Sequence, residues 1–173
     1  MLTLSFEFSG STLTYKLNGT EYLARTNPYT TTLEELKIPV ITSCNRTFLN
    51  TNITNLTSFP DTTNVIDMYS MFNYCMKLTT LDLSYFNTSN VTDMRYMFDG
   101  CHNLISLNVS SFNTSKVTTM VSMFFNCFSL TELDLSSFDT SNVVDMHQLF
   151  YGCRNLQTLN VSSWNVNHIT EYE

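Results

Sequence analysis

Four cysteines, Cys75, Cys101, Cys127 and Cys153, follow one another at 26-residue intervals, with Cys44 ahead of them. Thiols in series invite three chemistries: disulfides, a tetrahedral metal site, or a nucleophile beside a base. The four share one column at the end of a stretch whose apolar spacing predicts a short helix. Neighbouring Cα atoms there would stand about 8–10 Å apart. That exceeds the roughly 4.4–6.8 Å a disulfide spans and is too long for one zinc ion. The expectation is buried free thiols acting as small hydrophobes, a state that fits assembly in a reducing compartment.

The other candidate groups scatter. His102 shares a column with Met76, Phe128 and Arg154; His147 lies with Tyr69, Arg95 and Val121; His168 takes a helix N-cap slot. No Ser/His/Asp or Cys/His pairing follows from these positions, and the four glycines form no phosphate-binding loop. No catalytic residue, metal ligand or cofactor is therefore expected. The net charge is −7, and eight Lys and Arg residues are spread singly from Lys16 to Arg154. Nucleic-acid binders need a basic face, so that class is excluded. No apolar run reaches the roughly 18–20 residues that span a bilayer, and membrane insertion is not expected. Met1 to Phe8 alternates apolar and polar residues with no early Lys or Arg, unlike a secretory signal.

What positions these residues is an internal repeat. Val65, Val91, Val117, Val143 and Ile169 stand 26 residues apart, as do Met68, Met94, Met120 and Met146 and Phe72, Phe98, Phe124 and Phe150. A second signature follows in each copy: Leu78-x-x-Leu81-x-Leu83, Leu104-x-x-Leu107-x-Val109, Leu130-x-x-Leu133-x-Leu135 and Leu156-x-x-Leu159-x-Val161. An aromatic ring closes each unit at Phe86, Phe112, Phe138 and Trp164. Val91, Met94, Met97 and Phe98 fall at i, i+3, i+6 and i+7, one face of a helix. Asn90 with Asp93 resembles a capping box, repeated at Asn64/Asp67 and Asn142/Asp145. Gly100 and Gly152, with Asn126 and Tyr74 in the same column, mark helix ends where a left-handed residue is needed. Asn87 and Asn113, although followed by Thr-Ser, occupy a turn column where Asn bonds its own backbone.

The predicted fold is α/β: a curved, right-handed leucine-rich-repeat-type solenoid with a short helix and a strand per repeat. Packed helices need more room than paired strands, hence the curvature; right-handed crossovers set the hand. Residues 1–40 read as an N-terminal β-hairpin cap and first strand. The hairpin pairs 2–8 with 12–17 around Ser9-Gly10-Ser11, and Leu33-x-x-Leu36-x-Ile38 is the strand. Residues 41–64 are a degenerate repeat, 65–168 four 26-residue repeats and 169–173 a truncated stub, all in one domain.

The units running from Asn90 through Cys101, and from Leu104 through Phe112-Asn-Thr-Ser115, resemble the BspA-like leucine-rich-repeat family over about residues 61–168. The family occurs on bacterial surfaces and in some phages. The resemblance implies a non-enzymatic adhesion or binding module on a cell surface, with protein or glycan partners. Met1 to Phe8 shows no export signal, so either the chain is not exported by the standard route or a leader was removed. The first case adds two alternatives, a phage virion component, such as a decoration or fibre-associated protein, and a cytosolic scaffold.

Two surfaces are candidates. On the strand side, Thr80, Ser106, Glu132 and Thr158 form one exposed row, and Asp82, Asn108, Asp134 and Asn160 the next, a polar lattice for a polypeptide or glycan. At the C-terminal edge, Leu156, Leu159, Trp164 and Ile169 form an apolar patch suited to a second copy or an assembly partner.

Overall fold

A computed structural model describes residues 3–9, 12–17, 20–25, 42–56, 59 and 61–169, with side chains from residue 42 onward. Strands β1 (Thr3–Ser9) and β2 (Thr12–Leu17) run antiparallel with Ser9 opposite Thr12, the expected hairpin. A third strand, β3 (Thr20–Arg25), which the sequence reading missed, continues the sheet beyond β2. On its other edge β1 pairs in parallel with β4 (Asn55–Leu56), which ties the hairpin to the first repeat. The strand expected at Leu33–Ile38 and the stub beyond Ile169 lie outside the described residues.

The later repeats each contribute one three-residue strand: β5 (Thr80–Asp82), β6 (Ser106–Asn108), β7 (Glu132–Asp134) and β8 (Thr158–Asn160). They pair in parallel as β5–β6 and β7–β8, two separate small sheets. Leu81 and Leu133 point inward and are buried, whereas Leu107, at the break between the sheets, is only half-buried.

The helix-plus-strand leucine-rich-repeat solenoid is not what the chain forms. Among the described residues there is no helix, and the strands are a few short pieces in small parallel pairs. The segment expected to be helical is a run of tight turns, for a local reason. Ser70, Tyr96, Ser122 and Gln148 hold φ between 53° and 58°, in the left-handed region. Four residues later Tyr74 and Asn126 (φ 56° each) and Gly100 and Gly152 (φ 71° and 79°) do the same. A left-handed residue every fourth position cannot continue a right-handed helix. The second column was expected to be left-handed; the first was not.

The backbone bonds show what replaces the helix. Met71, Asn73 and Cys75 donate three residues back, to Met68, Ser70 and Phe72, at 3.1–3.2 Å. The amides between them point out of the repeat: Met68, Ser70, Phe72 and Tyr74 donate to Asp93, Arg95, Met97 and Asp99 of the next one, at 2.7–3.0 Å. Met120, Ser122, Phe124 and Asn126 bond to Asp145, His147, Leu149 and Tyr151 in the same way, at 2.7–3.1 Å. Successive turn runs are therefore held at strand-like spacing, about 4.8 Å. The 8–10 Å helix spacing that required curvature is absent, and with it the grounds for curvature. The capping boxes are likewise replaced. Asp67, Asp93 and Asp145 each accept from the amide two residues on, at 2.8–3.1 Å. Asn90 and Asn142 instead donate to Thr63 and Ser115 carbonyls in the preceding repeat.

Close spacing sets the core. Phe48, Phe72, Phe98, Phe124 and Phe150 stack with neighbouring centroids 5.1–5.7 Å apart and planes within 18°. Met68, Met71, Met94, Met97, Met120 and Met123 are fully buried, as core filling requires. Gly100 sits where a Cβ would come within 2.9 Å of the Tyr74 ring in the repeat below.

A buried threonine column, not foreseen from the sequence, adds a second tie. The Thr62, Thr88 and Thr114 hydroxyls accept from the amides of Asn87, Asn113 and Asp139 at 2.7–2.8 Å. Each also donates to the same residue's carbonyl at 2.9–3.0 Å. Thr140 does the same with Asn165, at 2.9 and 2.8 Å. Valine has the right shape there but no hydroxyl. Thr114→Val should therefore take the Thr114 partner from both the N–H and the C=O of Asp139 and cost about 1–3 kcal/mol in urea unfolding; unchanged stability would show that the column is not structural.

Candidate functional site

All five cysteines are free, four buried and Cys153 half-buried. The reason differs from the expected one. The strand-like spacing of neighbouring repeats falls within disulfide range, but four of the thiols are committed to carbonyls instead. Cys75, Cys101, Cys127 and Cys153 donate S–H to Phe48, Phe72, Phe98 and Phe124 carbonyls at 3.1–3.2 Å. Burial pushes the Cys75 and Cys153 thiols up to about 11 and Cys44 to about 12, and holds Cys101 and Cys127 well above the usual range. A thiol of this kind is a poor nucleophile. Among the described residues no three His, Cys, Asp or Glu side chains converge on a point where a metal could sit.

On the strand side, Thr80, Ser106, Glu132 and Thr158 are exposed, in register across the two sheets: Thr80 opposite Ser106, Glu132 opposite Thr158. The second predicted row has a different job. Asp82, Asn108, Asp134 and Asn160 each accept from the amide two residues on, at Ser84, Ser110, Ser136 and Ser162, at 2.9–3.2 Å. Donation from Ser84 and Ser136 holds the Asp82 and Asp134 carboxyls below the usual range. These side chains close the turn after each strand. Asn87 and Asn113 close another in the expected way, accepting from Ser89 and Ser115.

The four C-terminal residues are not equally open. Ile169 is buried, and Leu156 and Trp164 are half-buried; the indole stacks on Phe150 at 6.2 Å and donates to the Leu135 carbonyl at 3.3 Å. Leu159 is 38% exposed, and Val166 beside this group 49%. The patch is smaller than the sequence implied.

The structure adds a place that sequence reading missed. A cleft of about 300 Å³ opens on the turn runs of the first three repeats, lined by Arg46, Tyr69, Ser70, Asn73, Tyr96 and Asp99 among others. Arg46 and Arg95 lie over the Tyr69 ring at 5.3 and 5.2 Å, and Arg95 pairs with Asp93 at 2.6 Å. Asn73 and Asp99 are buried, joined by a 2.8 Å bond from Asn73 Nδ2 to Asp99 Oδ2. The signal was weak: Asn73 and Asp99 share a column with Phe125 and Tyr151, so a polar pair replaces an aromatic one.

These features define a repeat protein: 26-residue units joined one to the next by backbone bonds, with polar rows and a cleft on the outside. The chain belongs to the family described as Mycoplasma protein of unknown function, DUF285, which matches residues 25–106, 42–133 and 67–173. No curated protein and no solved structure shows significant similarity to it.

The thiol environment has a pH consequence. A thiol whose folded-state pKa is raised stays neutral in the fold while the unfolded chain ionises near 9, so stability present below that pH is lost as pH rises toward 11. Unfolding free energy should be flat between pH 7 and 8 and fall between 9 and 11, with all five thiols alkylated only after denaturation. A Cys75–Cys101 crosslink in non-reducing mass spectrometry, or flat stability to pH 11, would contradict this.

Proposed function

We propose that this chain is a non-enzymatic binding module of the BspA-like kind, displayed on a cell or virion surface, recognising protein or glycan through its strand face. One observation carries the reading. The outward side chains are presented in fixed register within each pair, β5–β6 and β7–β8, and among the described residues no bond occupies the side chains of the first row, Thr80, Ser106, Glu132 and Thr158. The neighbouring row of Asp82, Asn108, Asp134 and Asn160 shapes this surface by fixing the turns behind it. Membership of the DUF285 family, whose repeats resemble those of BspA-like surface proteins, is in keeping with the reading. Rigid polar surfaces lose little freedom on binding, which favours recognition of extended ligands.

The test is a screen of the purified protein against a glycan array and a panel of extracellular proteins, repeated with the double variant Glu132→Lys, Thr158→Lys. Both positions are exposed, so melting temperature should hold within a few degrees while binding to any hit falls at least about tenfold, a loss of about 1.4 kcal/mol. Undiminished binding would place recognition elsewhere on the chain, and an empty screen would count against a binding module.

A further inference from the structure

The cleft on the turn runs is bounded by two columns. One carries Arg46, Ser70 and Tyr96 in successive repeats; the other carries Leu49, Asn73 and Asp99. The small Ser70 between two large neighbours opens the space. At its base the second Asp99 oxygen, Oδ1, is buried and receives no hydrogen bond. Buried polar atoms in folded proteins are nearly always paired, so this one marks a place where a donor is missing. Burial raises the carboxyl above the usual range, in keeping with that gap. Above it, Arg46 rests on Tyr69 and has no carboxylate partner among the described residues. The cleft is thus lined by a carboxylate with one unbonded oxygen, buried until the side chain turns, and by a guanidinium without a carboxylate partner among the described residues.

These groups restrict what can bind. A cation would face Arg46, and an anion would face Asp99. A planar base cannot stack on Tyr69, because guanidinium groups lie over that ring from Arg46 and Arg95 both. A neutral ligand with hydroxyls that donate and accept, and C–H edges for Tyr96 and Leu49, satisfies all of them. A volume of about 300 Å³ is at the small end of ligand sites and suits a mono- or disaccharide better than an extended peptide. We propose that this cleft is a saccharide subsite for a neutral hexopyranose, with Asp99 turning about its Cβ–Cγ bond to accept from a sugar hydroxyl and Arg46 donating to another. It lies on the turn runs and does not depend on the strand-face reading.

The test titrates methyl glucoside, methyl galactoside and methyl mannoside into ¹⁵N-labelled protein. Ser70→Tyr is the blocking variant; the left-handed conformation at this column already accepts Tyr96, so the change should fold while filling the cleft. The expected result is millimolar binding of at least one glycoside, with shifts at Ser70, Asn73 and Asp99. Ser70→Tyr should abolish the shifts, Asp99→Asn should weaken binding at least about tenfold, and Glu132→Lys should leave it unchanged. No shift at the cleft with any of the three, or binding that survives Ser70→Tyr, overturns the proposal. Loss with Glu132→Lys alone would also overturn it, while leaving the strand-face reading intact.

Discussion

Half of the turn amides in each repeat are handed to the repeat that follows. Met68, Ser70, Phe72 and Tyr74 donate forward to Asp93, Arg95, Met97 and Asp99, while the amides between them close turns within their own repeat. A helix would have spent all of them internally and left neighbouring repeats joined by side chains alone. The forward bonds require N–H groups that point one way along the stack, and alternating right- and left-handed residues provide that direction. Ser70, Tyr96 and Ser122 adopt an unfavourable conformation for this reason, and Gln148 keeps the same conformation in the last repeat.

The rest of the interior follows from the spacing those bonds impose. Rings in the Phe48–Phe150 column can stack because the backbones beneath them are close. A threonine hydroxyl can reach both the N–H and the C=O of one residue in the next repeat for the same reason. A cysteine thiol can reach the carbonyl of the repeat below, which makes it an inert part of the core. The cleft has the same origin: with backbones this near, one small side chain between two large ones leaves a hole of ligand size.

Much of this was legible in the sequence. The 26-residue columns named nearly the whole core, including Val65, Met68, Phe72, Cys75 and Leu78, all fully buried. The hairpin around Ser9–Ser11 and the turn role of Asn87 and Asn113 were also readable, because each rests on a local rule. The helix was misread because Val91, Met94, Met97 and Phe98 fit a helical face and a three-residue turn rhythm equally well. Gly100 and Gly152 announced one left-handed column; Ser, Tyr, Ser and Gln in the other carry no such signal. Asp82 and Asp134 looked like free ligands because an exposed carboxylate and one closing a turn look alike in a sequence. The Asp99 cleft depends on contacts among three repeats, and no single column reveals it.

The central claim is that the segment after each conserved valine is a run of left- and right-handed turns. Gln148 separates it from the helix most directly, being exposed at φ 56° with the turn bond from Tyr151 accepted by its carbonyl. In a helix interior Gln148→Gly would cost about 1 kcal/mol. In the left-handed conformation glycine relieves a strain of about 1–2 kcal/mol, so the variant should be more stable than the parent in urea unfolding, by about 1 kcal/mol. A loss of about that size would contradict the turn geometry and restore the helix.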